Sequence, residues 1–175
     1  MIRNYMAIIY LGENKENISP LTKVRALASI PVGGSYRIID FSLSNVVNAG
    51  IRNVGLFCGN EELNSLTDHI GMGAEWDLAR KKDGIFIFKQ MLDSNFSLNQ
   101  SRIRKNMEYF FRSTQEKIVV LNAHMVYNLD ITDLIEKHEA SGKEITMVYK
   151  KVKKANEHFN HCSSVKIDEN NHVIG

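Results

Sequence analysis

Apolar residues fall along this chain in short, nearly unbroken runs: Met6 to Leu11, Val54 to Cys58, Ile85 to Phe88, Ile118 to Leu121 and Ile145 to Tyr149. None has the strict alternation of a half-exposed strand, so each predicts a strand buried on both faces. Between the runs, apolar positions recur with a helical period. Ile39, Leu43, Val46 and Val47 share one face of a segment from Tyr36 to Ala49, and Gly50 follows where a helix commonly ends. Ile103, Met107, Phe110 and Phe111 mark a second helix from Arg102 to Ser113. Ile131 to Ser141 predicts a third, with Asp130 or Thr132 available to cap its first turn and Gly142 to end it. Strand and helix alternate. That order predicts right-handed crossovers and a Rossmann-like, three-layer α/β/α fold with a mostly parallel sheet, whose ligands sit at the carboxyl ends of the strands.

At 175 residues the chain is long enough for one sizeable core, and residues 1–175 read as one domain. Pro20 and Pro31 are the only prolines, and no repeat or linker-like tract marks a boundary. Ser163 to Asp168, the polar turn from Glu169 to His172, and Val173 to Gly175 predict a strand, a turn and the opening of another strand. A hairpin half made at the end predicts a piece of something longer.

Composition narrows the class without naming it. Hydrophobic residues at 43% and charged residues at 24% are ordinary globular values. A net charge of +2 supplies no field to draw in nucleic acid or an anionic membrane, and neither is expected as a partner. The apolar run at the amino terminus is too short for a secretory core or a membrane span. Cys58 and Cys162, far apart in a chain with no signal peptide, read as reduced thiols of a cytoplasmic protein.

The segment from Pro20 to Asn45 reads PLTKVRALASIPVGGSYRIIDFSLSN. It resembles the signature of ADP-glucose pyrophosphorylases (glucose-1-phosphate adenylyltransferases), P-L-T-x-x-R-A-K-P-A-x-P-F-G-G-K-Y-R-I-I-D-F-x-L-S-N, and continues through Val47 to Ile51. Ser65-Leu66-Thr67-Asp68-His69-Ile70, followed by Gly71 and Trp76, is similar to the family's S-L-x-x-H-I and its downstream tryptophan. The likeness runs from about Met6 onward, and a match this long is far more specific than a lone glycine-rich hexamer. It implies the nucleotide-diphospho-sugar transferase type of fold. Full-length members add a sugar-phosphate half and a carboxy-terminal left-handed β-helix domain.

What the resemblance implies about chemistry is mostly loss. Active members join glucose 1-phosphate to the α-phosphate of ATP with the help of Mg²⁺. Their first catalytic element is the loop L-A-G-G-x-G-x-R-L after strand one, whose glycines let backbone N–H groups approach a triphosphate. Here it reads Leu11-Gly12-Glu13-Asn14-Lys15-Glu16-Asn17-Ile18, so Gly12 remains, Glu13 and Lys15 replace glycines, and Asn17 stands at the arginine. The second is the phosphate-touching lysine of R-A-K-P, which is Leu27. The third is the Mg²⁺-binding aspartate of S-G-D-x-I-Y, which alignment on Tyr127 and Asp130 places at His124. The base-binding G-T-A-D-A motif has no counterpart in Leu98 to Arg102. Losing one preorganised charge-stabilising group costs ~10²–10³ in rate, and such losses need not add in full.

No catalytic and no metal-binding residue is therefore expected, and no cofactor is expected to bind this chain. Gly12, Lys23 and Arg25 are the candidates for holding a nucleotide or a sugar-phosphate effector. Arg25 reads equally as a solvated or structural arginine. His158-Phe159-Asn160-His161-Cys162 looks like half a zinc site, yet no second ligand pair stands at suitable spacing. Lys150, Lys151, Lys153 and Lys154 read as a solvated edge. Arg37 and Asp40, three apart, suit a local polar contact, and Trp76 and His69 read as packing residues. Irregular backbone is expected from Leu11 to Thr22, where the glycines have gone.

Scaffold kept and catalytic groups replaced resembles the regulatory, GlgD-type branch of the family. That implies a non-catalytic subunit pairing with a catalytic, GlgC-type homologue in a heterotetramer that serves glycogen synthesis. Two other readings stay open: a weak adenylyltransferase with Lys15 supplying the missing charge, and a module that senses a nucleotide or sugar phosphate without turnover.

Overall fold

The first apolar run forms strand β1 (Tyr5–Tyr10), whose side chains alternate between two covered faces: Tyr5, Ala7 and Ile9 on one, Met6 and Ile8 on the other. Cover on both sides is why the run carries no polar alternation. The computed structural model describes residues 2–11, 19–23, 25–58, 63–89, 100–151, 165–169 and 172–174. After β1 come a helical turn α1 (Ser19–Thr22), a 3-10 turn at Leu27–Ser29, and a hairpin of β2 (Pro31–Val32) and β3 (Tyr36–Arg37). Helix α2 (Ile38–Asn48), β4 (Asn53–Phe57), α3 (Asn64–Ile70), β5 (Gly84–Phe88), α4 (Gln100–Arg112), β6 (Lys117–Asn122) and α5 (Ile131–Ser141) follow.

The main sheet has the order β5-β4-β1-β6 with every pairing parallel. Crossovers β1 to β4 and β4 to β5 step one way across the sheet, while β5 to β6 steps back. Right-handed connections then put α2 and α3 on one face and α4 on the other. The packing agrees. Ile39, Leu43 and Val46 of α2, Leu66 and Ile70 of α3, and Ile131 and Ile135 of α5 join the core under Ala7, Ile9, Val54 and Leu56. Tyr109 and Phe110 of α4 cover Met6, Ile8 and Phe57. Burying a side chain such as Leu43 stabilises the fold by about 1.5–3 kcal/mol. The Phe57–Phe88 and Phe57–Phe110 edge contacts, with centroids 5.3 and 6.0 Å apart, each add ~0.5–1.5 kcal/mol. This is the three-layer α/β fold expected from the pattern.

Helix ends follow local chemistry. Gly50, at φ +86, takes the left-handed conformation; its N–H reaches Val47 O at 2.9 Å and the Ile51 N–H reaches Val46 O at 3.2 Å. This is the paired closing motif that glycine permits. At α5, Asp130 rather than Thr132 is the cap, its Oδ1 accepting from the Thr132 and Asp133 N–H groups at 2.9 and 3.1 Å.

Several expectations need correction. The helix predicted from Tyr36 starts at Ile38, because Tyr36 and Arg37 pair antiparallel with Val32 and Pro31 across the Gly33–Gly34 turn. Ser19–Thr22 is helical, so irregular backbone does not extend to Thr22; residues 12–18 lie outside the described residues. The run Ile118 to Leu121 is a strand but is covered on one face only, with Ile118 48% and Val120 69% exposed, and Ile145 to Tyr149 is not a buried strand. These residues have no strand structure, and Ile145 is 84% exposed. They belong to the second of two compact units, Met1–Ser141 and Gly142–Gly175. Apolar content alone does not make a strand, since a ladder needs a partner. Among the described residues of that second unit the only strand-like pairing is Ile167 with Val173. That bridge, with Asp168 and Ile174 N–H groups bonded to His172 O and Lys166 O, is an antiparallel contact where two strands were expected, and no strand forms among the described residues there. Among the described residues no helix is long and apolar enough to cross a membrane.

Candidate functional site

The chain leaves β1 toward β4 and later returns to β6 on its other side, so the direction of winding reverses between β1 and β6. In open parallel sheets the crevice at the carboxyl ends of two such strands is where ligands are taken. Its floor is fixed by backbone bonds: the Leu11 N–H donates to Phe57 O at 2.9 Å and the Ala123 N–H to Tyr10 O at 3.0 Å. Leu11 and Ala123 are both buried.

The segment after β6 is held by α2. Asn45 Nδ2 donates to Tyr127 O at 3.0 Å. The Tyr127 hydroxyl lies 3.3 Å from Ser42 Oγ and 3.3 Å from Asn122 O. Burial pushes that hydroxyl's pKa up, and the Ser42 bond partly offsets the rise. Ser42 and Asn45 are thus the residues through which the signature helix sets where residues 122–127 run.

His124 lies on this held segment. Its Nδ1 is sealed from solvent and has no hydrogen-bonding partner, and burial pushes the ring's pKa below its ordinary 6.5. A proton is therefore bound more weakly in the folded chain than in the unfolded one. The cost of keeping the ring neutral is nil above the unfolded pKa, grows as pH falls through it, and levels off below the folded value. Between pH 7 and 5 the wild type is expected to lose more stability than His124→Asn, as read from urea midpoints across that range. Parallel pH dependences for the two proteins would show that the ring is solvated in the native state.

The other candidates differ in setting. Leu27 is buried, on the 3-10 turn beside Ala28 and Ser29. Lys23 is exposed and Arg25 half-buried. Gly12 and Asn17 lie outside the described residues, as do His158 to Cys162, Lys153 and Lys154; Lys150 and Lys151 are exposed. Among the described residues no three His, Cys, Asp or Glu side chains come together in a way that suits a metal ion.

The local Arg37–Asp40 contact expected from their spacing is part of a wider polar network, in which His69 is a polar partner and not only a packing residue. Asp40 is buried and uses both oxygens: Oδ2 accepts from the Arg37 N–H at 2.8 Å, and Oδ1 lies 2.7 Å from His69 Nε2. Arg37 Nη1 donates to Ser65 O and, at 2.7 Å, to Ser65 Oγ. The His69 ring meets Trp76 edge-on with centroids 6.0 Å apart. These contacts tie the amino end of α2 to both ends of the short helix α3, through Ser65 and His69. The spacing of Arg37 to Asp40 and of Ser65 to His69 was visible, but nothing in it said that the two pairs meet.

The nucleotidyl transferase family pattern matches residues 6–173. The chain belongs to that family. Among curated relatives, the glycogen biosynthesis protein GlgD of Bacillus subtilis (strain 168) is 41% identical over 140 residues, covering 77% of this chain and 40% of that protein. The glucose-1-phosphate adenylyltransferase of Pseudothermotoga lettingae is 34% identical over 149 residues, covering 83% of this chain and 35% of its own. This nucleotidyl transferase chain therefore spans well under half the length of these relatives. A solved structure from Bacillus anthracis, described as a glucose-1-phosphate thymidylyltransferase, superposes with a TM-score of 0.60 at 20% identity, covering 79% of this chain and 51% of that one. At that identity the likeness speaks for the fold alone.

Proposed function

We propose that this nucleotidyl transferase chain is part of a regulatory, non-catalytic subunit of glucose-1-phosphate adenylyltransferase, the enzyme that makes ADP-glucose and pyrophosphate from ATP and glucose 1-phosphate in glycogen biosynthesis. It pairs in the cytoplasm with a catalytic homologue of GlgC type in a heterotetramer. The observation that carries the reading is His124: on a segment held by Ser42 and Asn45, at the strand end where the family resemblance calls for a metal-binding carboxylate, stands a neutral imidazole with a sealed, unpartnered nitrogen. A scaffold kept to this degree around a side chain unable to do the chemistry fits a protein retained for what it binds rather than for turnover.

Two further observations support it. Leu27, at the position of the phosphate-touching lysine, faces inward and presents no charge. The relatives at 41% and 37% identity both carry the name GlgD, ahead of adenylyltransferases at 34% and below. Lys23 and Arg25, followed by a buried turn, are the residues on which a sugar-phosphate effector would rest.

The test is ADP-glucose formation by the full-length protein, the catalytic homologue and their mixture. No product from the protein alone, with a changed rate or effector response of the homologue in the mixture, is expected. Turnover by the protein alone within about a hundredfold of a typical 10 s⁻¹, or a mixture that behaves as the homologue does by itself, would refute the proposal.

A further inference from the structure

We infer that the crevice between β1 and β6 has lost the divalent cation of its family, with the imidazole at position 124 the change that matters most. The inference rests on the alignment that puts His124 at the family's acidic ligand, as in the proposed function. The family generally works with Mg²⁺, so the donors present must be weighed against that ion. Mg²⁺ takes near-octahedral oxygen donors at ~2.0–2.1 Å and keeps several of its waters. An imidazole nitrogen suits zinc, copper or nickel instead.

The residues of this segment do not fit Mg²⁺. Nδ1 of His124 is sealed and unpartnered, and either ring nitrogen would offer nitrogen where Mg²⁺ takes oxygen. Its neighbours Asn122, Ala123, Met125 and Val126 bring no carboxylate. The first acid after His124 is Asp130, and its Oδ1 is already spent on the Thr132 and Asp133 N–H groups at the start of α5. No group of three metal-suited side chains assembles among the described residues.

The segment itself is kept in place. Ala123 is bonded to Tyr10 across the strand ends, Asn45 holds the Tyr127 carbonyl, and the Tyr127 hydroxyl joins Ser42 to Asn122. A carboxylate introduced at 124 would therefore project from an already ordered backbone. One substitution should regain the cation.

Mn²⁺ is the probe, because it shares the preference for oxygen donors and its free form is counted directly by electron paramagnetic resonance. Full-length wild type, His124→Ala, His124→Asp and His124→Asn are titrated with Mn²⁺ alone, with folding checked by circular dichroism. Wild type and His124→Ala are expected to leave the same amount of Mn²⁺ free. His124→Asp is expected to bind at least about tenfold more tightly than wild type, the size of effect seen when a ligand environment is altered. His124→Asn, whose amide oxygen is a weaker donor of the same kind, should show a smaller gain and stands in if the carboxylate prevents folding. Wild-type uptake that disappears in His124→Ala would overturn the inference, as would the absence of any gain in the folded Asp or Asn variant. Either result leaves the effect on the catalytic homologue untouched. Conversely, a mixture without altered activity, alongside an unchanged Mn²⁺ result, would refute the regulatory reading and not this one.

Discussion

Introducing Asn17→Arg, Leu27→Lys and His124→Asp together, with Glu13→Gly and Lys15→Gly in the preceding loop, is expected to lift ADP-glucose synthesis by the full-length protein at least a hundredfold above its background. Each preorganised charged group contributes ~10²–10³ in rate, and groups that act as a unit do not add in full, so the gain should exceed that of any single replacement without being their product. The supporting frame is the bonding of residues 122–127 to α2 and to the end of β1. The gain should stop well short of a natural enzyme, since Leu98 to Arg102 offers no base-binding motif. Leu27→Lys carries a cost of its own. The leucine is only 8% exposed, and a lysine there has to run its stem along the turn to bring the ammonium to water, so thermal stability should fall with that change by itself. A product assay from labelled ATP, on protein whose folding has been checked, decides the matter. Repaired protein no faster than wild type would mean that the backbone at these positions has diverged from that of an enzyme.

Much of the sheet was legible because its central strands, β1 and β4, are covered on both sides. An unbroken apolar run such as Met6 to Leu11 has few alternatives in a chain this short, and the stripes of α2 and α5 each have the period of a helix with one covered face, whereas in α4 Phe110 is covered and Phe111, read on the same stripe, is 79% exposed. The hairpin β2–β3 was hidden by its size: two-residue strands give no alternation to read, and Tyr36 and Arg37 lie next to a helical stripe into which they seem to merge. The Gly33–Gly34 pair was the available signal. Helix α3 is only seven residues long, with Leu66 and Ile70 as its buried face, too few positions to establish a period. Ile145 to Tyr149 shows the converse, a strand-like composition whose structure depends on what pairs with it.

The candidate site was legible in part for a different reason. Side chains proposed to stand where the family pattern has charged groups, Leu27 and His124, are found only by comparison with that pattern, since nothing in a leucine or a histidine points to it. What the sequence concealed altogether was the meeting of distant polar residues. Ser42 and Asn45 belong to a helix whose apolar stripe was evident, and their polar faces looked like ordinary exposed positions. Their partner Tyr127 lies more than eighty residues on. Contacts of that kind come from the topology, which brings the middle of α2 beside the segment after β6 only because the chain reverses its winding at β1.

Asp40→Ala is expected to be the most damaging single change to stability outside the apolar core. Asp40 is buried, and both carboxylate oxygens are in use, one at the first turn of α2 through the Arg37 N–H and one at His69 of α3. Alanine leaves two polar groups without their acceptor, each at ~1–3 kcal/mol, so a loss of about 2–5 kcal/mol is expected. For a chain of this size that corresponds to a fall in melting temperature of roughly 5–15 °C. Asp40→Asn should cost less, because its amide oxygen still accepts one of the two bonds. A double-mutant cycle separates the pair from the cap: if the bond to His69 carries a share of the loss, His69→Leu combined with Asp40→Ala should be less damaging than the sum of the two single changes by ~0.5–3 kcal/mol. Its ring would no longer be left beside an empty position, while the unpaired Arg37 N–H at the head of α2 would remain. Strict additivity would assign the whole effect to the start of α2, and make the contact between α2 and α3 a consequence of Arg37 and Ser65 instead.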